Sequence, residues 1–231
     1  MEEGDVVKAY EILISLDGYK DSESKAASIC DQYKIKTANV GDIITFGKYE
    51  QDNNTSNGKE KIEWIVLDIK DGRALVVSKY ALDCQQYNTS LTDITWETCT
   101  LRKWLNNNFL NSAFTADEKA MIPTVTTSAD GNPDYSTDPG NATQDQVFLL
   151  SITEVNKYFR SDSARKCYPT EYAVAGGTYV NGNCSWWLRS PGRLQNIAAV
   201  VYRDGDVYER GRDVNYDSNA VRPALWIDLN F

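Results

Sequence analysis

The residue types that could carry catalysis in this chain are few. Its 231 residues include no histidine. Because imidazole is the base of Ser-His-Asp and Cys-His sites and a ligand of zinc and non-haem iron, all of these sites are excluded. We therefore expect neither a bound metal nor a cofactor.

Five cysteines remain as candidates for nucleophilic or redox chemistry: Cys30, Cys84, Cys99, Cys167 and Cys184. They are odd in number, widely spaced and contain no C-x-x-C pair, which argues against a zinc ribbon and against a dense disulfide framework. Free cysteine behaves as a small apolar residue that is usually buried. The pattern predicts reduced thiols in the core.

Carboxylates could still act in pairs, as in glycoside hydrolysis, or in clusters that bind calcium. No pair of acidic residues is distinguished by its sequence surroundings. Asp134, Asp138 and Asp145 lie in one polar stretch, but their spacing and the intervening prolines match no calcium motif. We therefore predict that the protein is not an enzyme.

The segment between Gly192 and Val221 is the strongest candidate for binding. From Arg189 to Arg222 the chain has six arginines and five acidic residues, a local charge of +1 in a chain of net charge -9. Tyrosine and arginine are enriched in binding surfaces because each combines a large contact area with hydrogen-bond donors. A solvated hairpin whose arginines only pair with neighbouring acids is the alternative.

A β-hairpin would present this segment. If Arg203-Asp204-Gly205 is a three-residue loop with Gly205 at positive φ, Val201 lies opposite Val207. A two-residue Asp204-Gly205 turn would mix the two faces of the hairpin, so the longer loop fits the alternation better. The small apolar residues are then anchors on the core, namely Ala198, Ala199, Val201, Val207 and Val214.

The rest of the chain must position this hairpin. Apolar runs at 42–46, 62–68 and 74–78, with Asp71-Gly72 between the last two, predict an antiparallel meander. Helical spacing comes next at 96–110, and T-x-x-E and S-x-x-E patterns begin helices at Thr115 and Ser151. We interpret residues 126–146 as a long surface excursion and 148–150 as a short strand.

Two tryptophan-bearing strands, 186–192 and 221–229, bracket the candidate segment. Their apolar residues Trp186, Trp187, Leu188, Trp226 and Ile227 are expected in the core. For Arg189 and Arg222 we expect bonds to backbone carbonyls or a buried acid, because a fork of five donors suits such cross-linking.

Residues 5–33 predict two helices with a break at Asp17-Gly18. One helical pair cannot bury its own apolar face, so it must dock on the remainder of the chain. We expect residues 1–38 to be an N-terminal helical appendage and residues 39–231 to form the main domain.

The run WWLRSPG at 186–192, the spacing of Ala198-Ala199, Val201, Asp204-Gly205-x-Val207, Gly211 and Val214, and VRPALWI at 221–227 resemble a family of bacterial and phage proteins. That family is similar to the variable proteins of diversity-generating retroelements. The resemblance covers residues 40–231. It implies an α+β class and a C-type lectin-like fold, with antiparallel strands and flanking helices, preceded here by a short helical hairpin.

The resemblance also implies how the segment varies. In that family, reverse transcription copies errors at template adenines into the carboxy-terminal codons and so diversifies a ligand-binding face. In this chain the implied variable residues lie within 193–218: Arg193, Leu194, Asn196, Ile197, Val200, Tyr202, Arg203, Tyr208, Arg210, Arg212, Asp213, Tyr216, Asp217 and Ser218. Most are reachable by changing only the adenines of AAC or AAT codons, whereas Gln195 and Glu209 are not.

The function so implied is binding of an unidentified ligand, expected to be a protein. A fixed structural or regulatory module of the same fold is the alternative. An enzyme of the formylglycine-generating type is a further alternative, because those enzymes have a similar fold. They rely, however, on a close pair of cysteines, and the two cysteines nearest in this sequence are Cys84 and Cys99. Iron-dependent sulfoxide synthases of similar fold require histidine ligands.

Charge and hydropathy also predict which classes of partner the protein binds and where in the cell it is found. A net charge of -9 and a pI near 4.6 disfavour nucleic acid, whose binding depends on cationic neutralisation. The sequence has no run of about 18 apolar residues, so we expect no membrane insertion. The acidic opening Met1-Glu2-Glu3 does not resemble a secretion signal, which favours the cytoplasm.

Overall fold

The computed structural model describes residues 5–16 and 18–231. Two five-stranded sheets and two two-stranded ribbons combine with short helices, so the predicted α+β class is confirmed. The helices are α1 (Asp5–Ser15), α2 (Ser22–Lys36), α3 (Thr100–Trp104), α4 (Leu110–Ala113), α5 (Ala116–Ala120), α6 (Ile152–Tyr158), α7 (Asp162–Arg165) and α8 (Glu171–Ala175), and a π-helical turn, Leu105–Phe109, joins α3 to α4.

The strands are β1 (Ile43–Tyr49), β2 (Glu60–Lys70), β3 (Arg73–Ser78), β4 (Asp83–Cys84), β5 (Val125–Thr127), β6 (Thr143–Asp145), β7 (Val147–Phe148), β8 (Val180–Asn181), β9 (Asn183–Cys184), β10 (Trp186–Pro191), β11 (Ile197–Val201), β12 (Val207–Asp213), β13 (Ala220–Val221) and β14 (Ala224–Asp228). No helix among the described residues is long and apolar enough to cross a bilayer.

The two N-terminal helices pair with each other and dock on the first sheet. The rings of Tyr10 and Tyr33 stack at 4.2 Å between α1 and α2. Asp31 of α2 accepts hydrogen bonds from Thr45 Oγ1 and Lys61 Nζ on β1 and β2. The predicted helical pair is confirmed, although Asp17 of the expected break, like Met1-Glu2-Glu3, lies outside the described residues. The division at residue 38 stays a prediction.

The first sheet has the order β1-β2-β3-β14-β7. The predicted meander is confirmed, and the β2–β3 turn is built by Asp71 and Gly72, whose φ values are +51° and +71°. Such a pair of positive φ values matches the right-handed twist of a hairpin. On the far side of β3 lies β14, a strand from the C-terminal end of the chain, which also pairs with β7.

The second sheet has the order β12-β11-β10-β13-β4 and carries the candidate segment. The prediction of one strand over 221–229 is wrong, because β13 belongs to the second sheet and β14 to the first. Pro223 stands between them, and proline has no amide hydrogen to continue a ladder. Its carbonyl instead accepts from Ser78 N at 2.9 Å. One chain segment thus links both sheets.

Helix capping agrees closely with the sequence patterns at two places. Both capping boxes, Thr115 with Glu118 and Ser151 with Glu154, are present. The helix expected from residue 96 begins only at Thr100, where Cys99 Sγ accepts from the backbone of Arg102. The predicted surface excursion at 126–146 is also corrected, because its ends pair as β5 and β6 and its middle contains the buried Asn132.

The tryptophan core forms as expected at four of five residues. Trp186, Trp187, Leu188 and Ile227 are fully buried, while Trp226 is half-buried. Trp186 and Trp187 are adjacent on β10 and still both buried, because β10 is a central strand covered on each face. Their indole N–H groups donate to Arg165 O and Gln85 O, so neither donor is left unmet.

Arg189 joins β10 to the start of α6. Its guanidinium donates to Leu149 O at 2.9 Å and Ser128 O at 3.2 Å and pairs with the carboxylates of Glu154 and Asp130. Only 3% of the residue is exposed. The expectation that this arginine binds backbone carbonyls is confirmed, and the two acids that it pairs with are partly exposed rather than buried.

The loop of the β11–β12 hairpin contacts α7 closely. A Cβ added at Gly205, where φ is +93°, would lie 1.8 Å from Asp162 O. At Gly58, where φ is +91°, an added Cβ meets nothing within 4 Å. We expect Gly205→Ala to lower the free energy of unfolding by about 2 kcal/mol more than Gly58→Ala in urea titrations, since only the first adds a backbone clash. Equal losses would show that the loop does not pack on α7.

Loss of the Arg189 network should cost much of the stability of the fold. Arg189→Met keeps the volume but removes the guanidinium that pairs with Glu154 and Asp130 and donates to two carbonyls, so we expect a loss of about 3 kcal/mol in unfolding free energy. Arg73→Met, at the start of β3 in the other sheet, is the matched control and should change it by less than about 0.5 kcal/mol. Similar values for both variants would contradict the structural role of Arg189.

Candidate ligand-binding surface

The hairpin formed by β11 and β12 has the predicted register. Val201 pairs with Val207, and Gly205 N donates to Tyr202 O at 2.8 Å to close the loop. The three-residue loop with Gly205 at positive φ is therefore confirmed. The apolar anchors are all buried, namely Ala198, Ala199, Val201, Val207 and Val214.

A bulge in β12 brings separated side chains together. The pairing moves from Val200 with Tyr208 to Ala198 with Arg212, so β12 contains two extra residues there. Gly211, at φ +73°, permits this, because a Cβ would lie 2.3 Å from Ala198 O. Tyr208 and Arg212 both reach Tyr202 as a result.

These side chains line an open groove of about 380 Å³, here called the Arg-Tyr groove. Eight of the fourteen sequence-derived residues contribute to its lining, and Gly211 completes it: Arg193, Ile197, Tyr202, Tyr208, Arg210, Arg212, Asp213 and Tyr216. The structure thus brings more than half of the candidate residues into one place.

Stacking orders one side of the Arg-Tyr groove. The rings of Tyr202 and Tyr208 lie 4.4 Å apart at 20°. The Arg212 guanidinium carbon lies 5.2 Å from the Tyr202 centroid and 4.9 Å from the Tyr216 centroid. Burial raises the pKa of Tyr202 above its ordinary value. Cation–π contacts of this kind contribute about 0.5–1 kcal/mol each and limit the motion of the arginine.

Six candidate residues lie outside the Arg-Tyr groove, and five of them have exposed or partly exposed side chains. Arg203 is exposed at the hairpin loop, 5.8 Å from the Tyr179 ring centroid, a neighbour that sequence reasoning missed. Leu194 is exposed and Asn196 half-buried. Asp217 lines a second depression of about 430 Å³ beside Cys84, and Ser218 Oγ donates to the carboxylate of Asp217.

Two candidate residues are buried. Val200 has no exposed surface and cannot contact a ligand from the outside, which corrects its inclusion among the binding residues. Ile197 is 6% exposed and contributes only to the lining of the groove. The cause is the central position of β11, every residue of which is buried. The unbroken apolar run at 197–201 is the sequence signal of a strand covered on both faces.

The loop at 126–146 holds the backbone of the candidate segment through side-chain hydrogen bonds. Asn132 Nδ2 donates to Pro191 O and Glu209 O at 2.8 and 2.7 Å, and Thr137 Oγ1 donates to Gly192 O. Gln195 Nε2 of the segment donates to Asp138 O of the same loop and to Ile94 O. Sequence reasoning missed these contacts, because isolated polar residues in a loop carry no periodic signal.

Four of the five cysteines are buried free thiols, as predicted, and Cys30 is half-buried. The fold brings two of them together although they are 17 residues apart: Cys184 N and Cys184 Sγ both lie within hydrogen-bonding distance of Cys167 O. The contact with Cys167, together with burial, raises the pKa of Cys184. Both residues are at most 1% exposed, so a substrate in solvent does not reach them.

Of the three acids in the polar stretch, Asp145 serves the core of the fold. Asp145 is buried and accepts from Arg102 Nε at 2.6 Å and Trp96 Nε1 at 3.1 Å. Within the described ranges, one group of three carboxylates, Glu50, Asp52 and Glu60, has oxygens within 4.8 Å of one another. All three acids also accept from backbone amides of residues 51–54. Burial, followed by the charges of its neighbours, raises the pKa of Glu50.

Comparison with known proteins gives one match. Residues 71–229 match the family model described as a domain of unknown function, DUF6273. No curated protein and no solved structure matches the chain. The matched range exceeds half of the chain and contains the hairpin, the Arg-Tyr groove, Arg189 and Arg222. The chain is therefore a member of the DUF6273 family.

Proposed function

We propose that this protein is a ligand-binding display domain, in which a C-type lectin-like scaffold presents residues 193–218 and a retroelement diversifies them. One observation carries the proposal: eight of the fourteen candidate residues line a single groove, while the apolar residues between them are buried. Each exposed side chain can then change with little effect on the core.

The arrangement of the sheets supports the lectin-like scaffold. The last strand, β14, lies in the same sheet as β1, the first strand of the main domain, with β2 and β3 between them. The second sheet stands apart and carries the variable hairpin at its edge, flanked by long irregular connections. Helices α3 to α5 come after the meander of the first sheet. These features agree with the fold that the sequence resemblance implies.

The contacts of Gln195 support diversification at selected positions. Its amide ties the segment to two carbonyls on separate loops, so a different side chain there would release both. Gln195 is also a residue that adenine-restricted changes of AAC or AAT codons cannot produce. The proposed mechanism therefore does not diversify this residue, whose side chain stabilises the segment.

A protein is the proposed class of ligand. The Arg-Tyr groove offers three tyrosines and three arginines, the residue types that dominate protein-binding hot spots. Stacking of Tyr202, Tyr208 and Arg212 orders these side chains before a partner arrives, which lowers the entropic cost of binding.

Sequencing the DNA around the gene tests diversification. We expect a near-copy of the codons for 186–227 beside a reverse transcriptase gene, with mismatches restricted to adenines of the copy. The mismatches should fall at codons for exposed residues such as Arg193, Arg203 and Arg210, and those for Trp186 and Gly211, which the fold requires, should match. If no copy is found, the domain is a fixed module of the same architecture.

A further inference from the structure

The arginines of the Arg-Tyr groove differ from those of the scaffold in their bonding. Four scaffold arginines donate to protein oxygens, namely Arg102, Arg165, Arg189 and Arg222. In the part of the chain that the structure describes, the side chains of Arg193, Arg210 and Arg212 make no hydrogen bond and no ion pair. Their donors remain free for a ligand.

Arg212 is held in place without using its hydrogen-bonding capacity. Aromatic rings lie on two sides of its guanidinium, and its Nε is buried with no acceptor among the described residues. Most buried donors in proteins have a partner, so this unpaired Nε sets Arg212 apart from the scaffold arginines. A planar fork of donors matches a carboxylate, which accepts two parallel hydrogen bonds.

Charge favours the same ligand. The groove lining contains three arginines and one acid, Asp213, in a chain whose net charge is -9. Asp204 and Arg212 both line the adjoining depression. A long polyanion such as nucleic acid would meet these carboxylates, whereas a single acidic side chain reaches the arginines without doing so.

We propose that the Arg-Tyr groove receives an aspartate or glutamate side chain of a protein partner. The carboxylate pairs with Arg212. Arg193 and Arg210 lie alongside this pair, and the stacked tyrosines contact the apolar neighbours of the acidic residue. This inference rests on the proposed function, because it names the ligand class of the same surface.

Selection from a phage-displayed library of random dodecapeptides tests the inference on the full chain. We expect the enriched peptides to share an Asp or Glu, to bind Arg212→Gln at least about tenfold more weakly, and to bind Arg212→Lys with an intermediate loss. Arg73→Gln removes the same charge from the other sheet and should bind within about twofold of the original chain. Replacing the shared acid of a peptide by its amide should have the same effect as Arg212→Gln. Circular dichroism confirms that each variant is folded.

Other outcomes separate the two proposals. Peptides that depend on Arg212 but share no acidic residue would overturn the carboxylate ligand and leave the display function standing. Failure to enrich any peptide that distinguishes Arg212→Gln from Arg73→Gln would contradict the display function itself. A fluorescein-labelled single-stranded DNA that binds the original chain and not Arg212→Gln would overturn the acidic-peptide ligand in favour of nucleic acid.

Discussion

The burial of Arg222 between the two sheets is the constraint on which the binding surface depends. Its guanidinium donates to Ser78 O at 2.9 Å and to Arg165 O at 3.3 Å, and it lies 5.0 Å from the centroid of Trp186. These contacts offset the cost of burying a charge. Arg165 in turn donates to Gly205 O at 2.8 Å, so the loop of the hairpin is tied to the junction of the sheets.

Arg189 fixes the other side of the segment in the same way. It holds the loop around Ser128 and Asp130, and that loop continues to Asn132, which donates to one carbonyl just before the candidate segment and to one within it. The backbone of the segment is thus held from two directions by groups that do not belong to it. Its side chains take little part in this bonding, which separates the residues that stabilise the fold from those available to bind.

Local sequence signals sufficed for the hairpins, the capping boxes and the buried tryptophans, because turn chemistry and alternation act over a few residues. The register of the hairpin could be predicted from Gly205 and the alternation of valines. Signals failed where contacts are distant in sequence: the support of the segment by Asn132, the approach of Tyr179 to Arg203, and the meeting of Cys167 with Cys184. The unbroken apolar run at 197–201 predicts that Val200 is buried, whereas the family resemblance places it among the variable residues. The run is the better guide at this position.

The central claim is that the segment can change its exposed side chains while the scaffold keeps its fold. Urea unfolding of a variant with six exposed residues replaced by serine tests this most directly: Arg193, Leu194, Arg203, Arg210, Asp213 and Asp217. We predict a total loss below about 2 kcal/mol for the six changes. The single change Val200→Ser, at a buried position of the same segment, should cost more, because it removes buried apolar surface and buries a hydroxyl. A larger loss for the six exposed residues than for Val200→Ser would contradict the account.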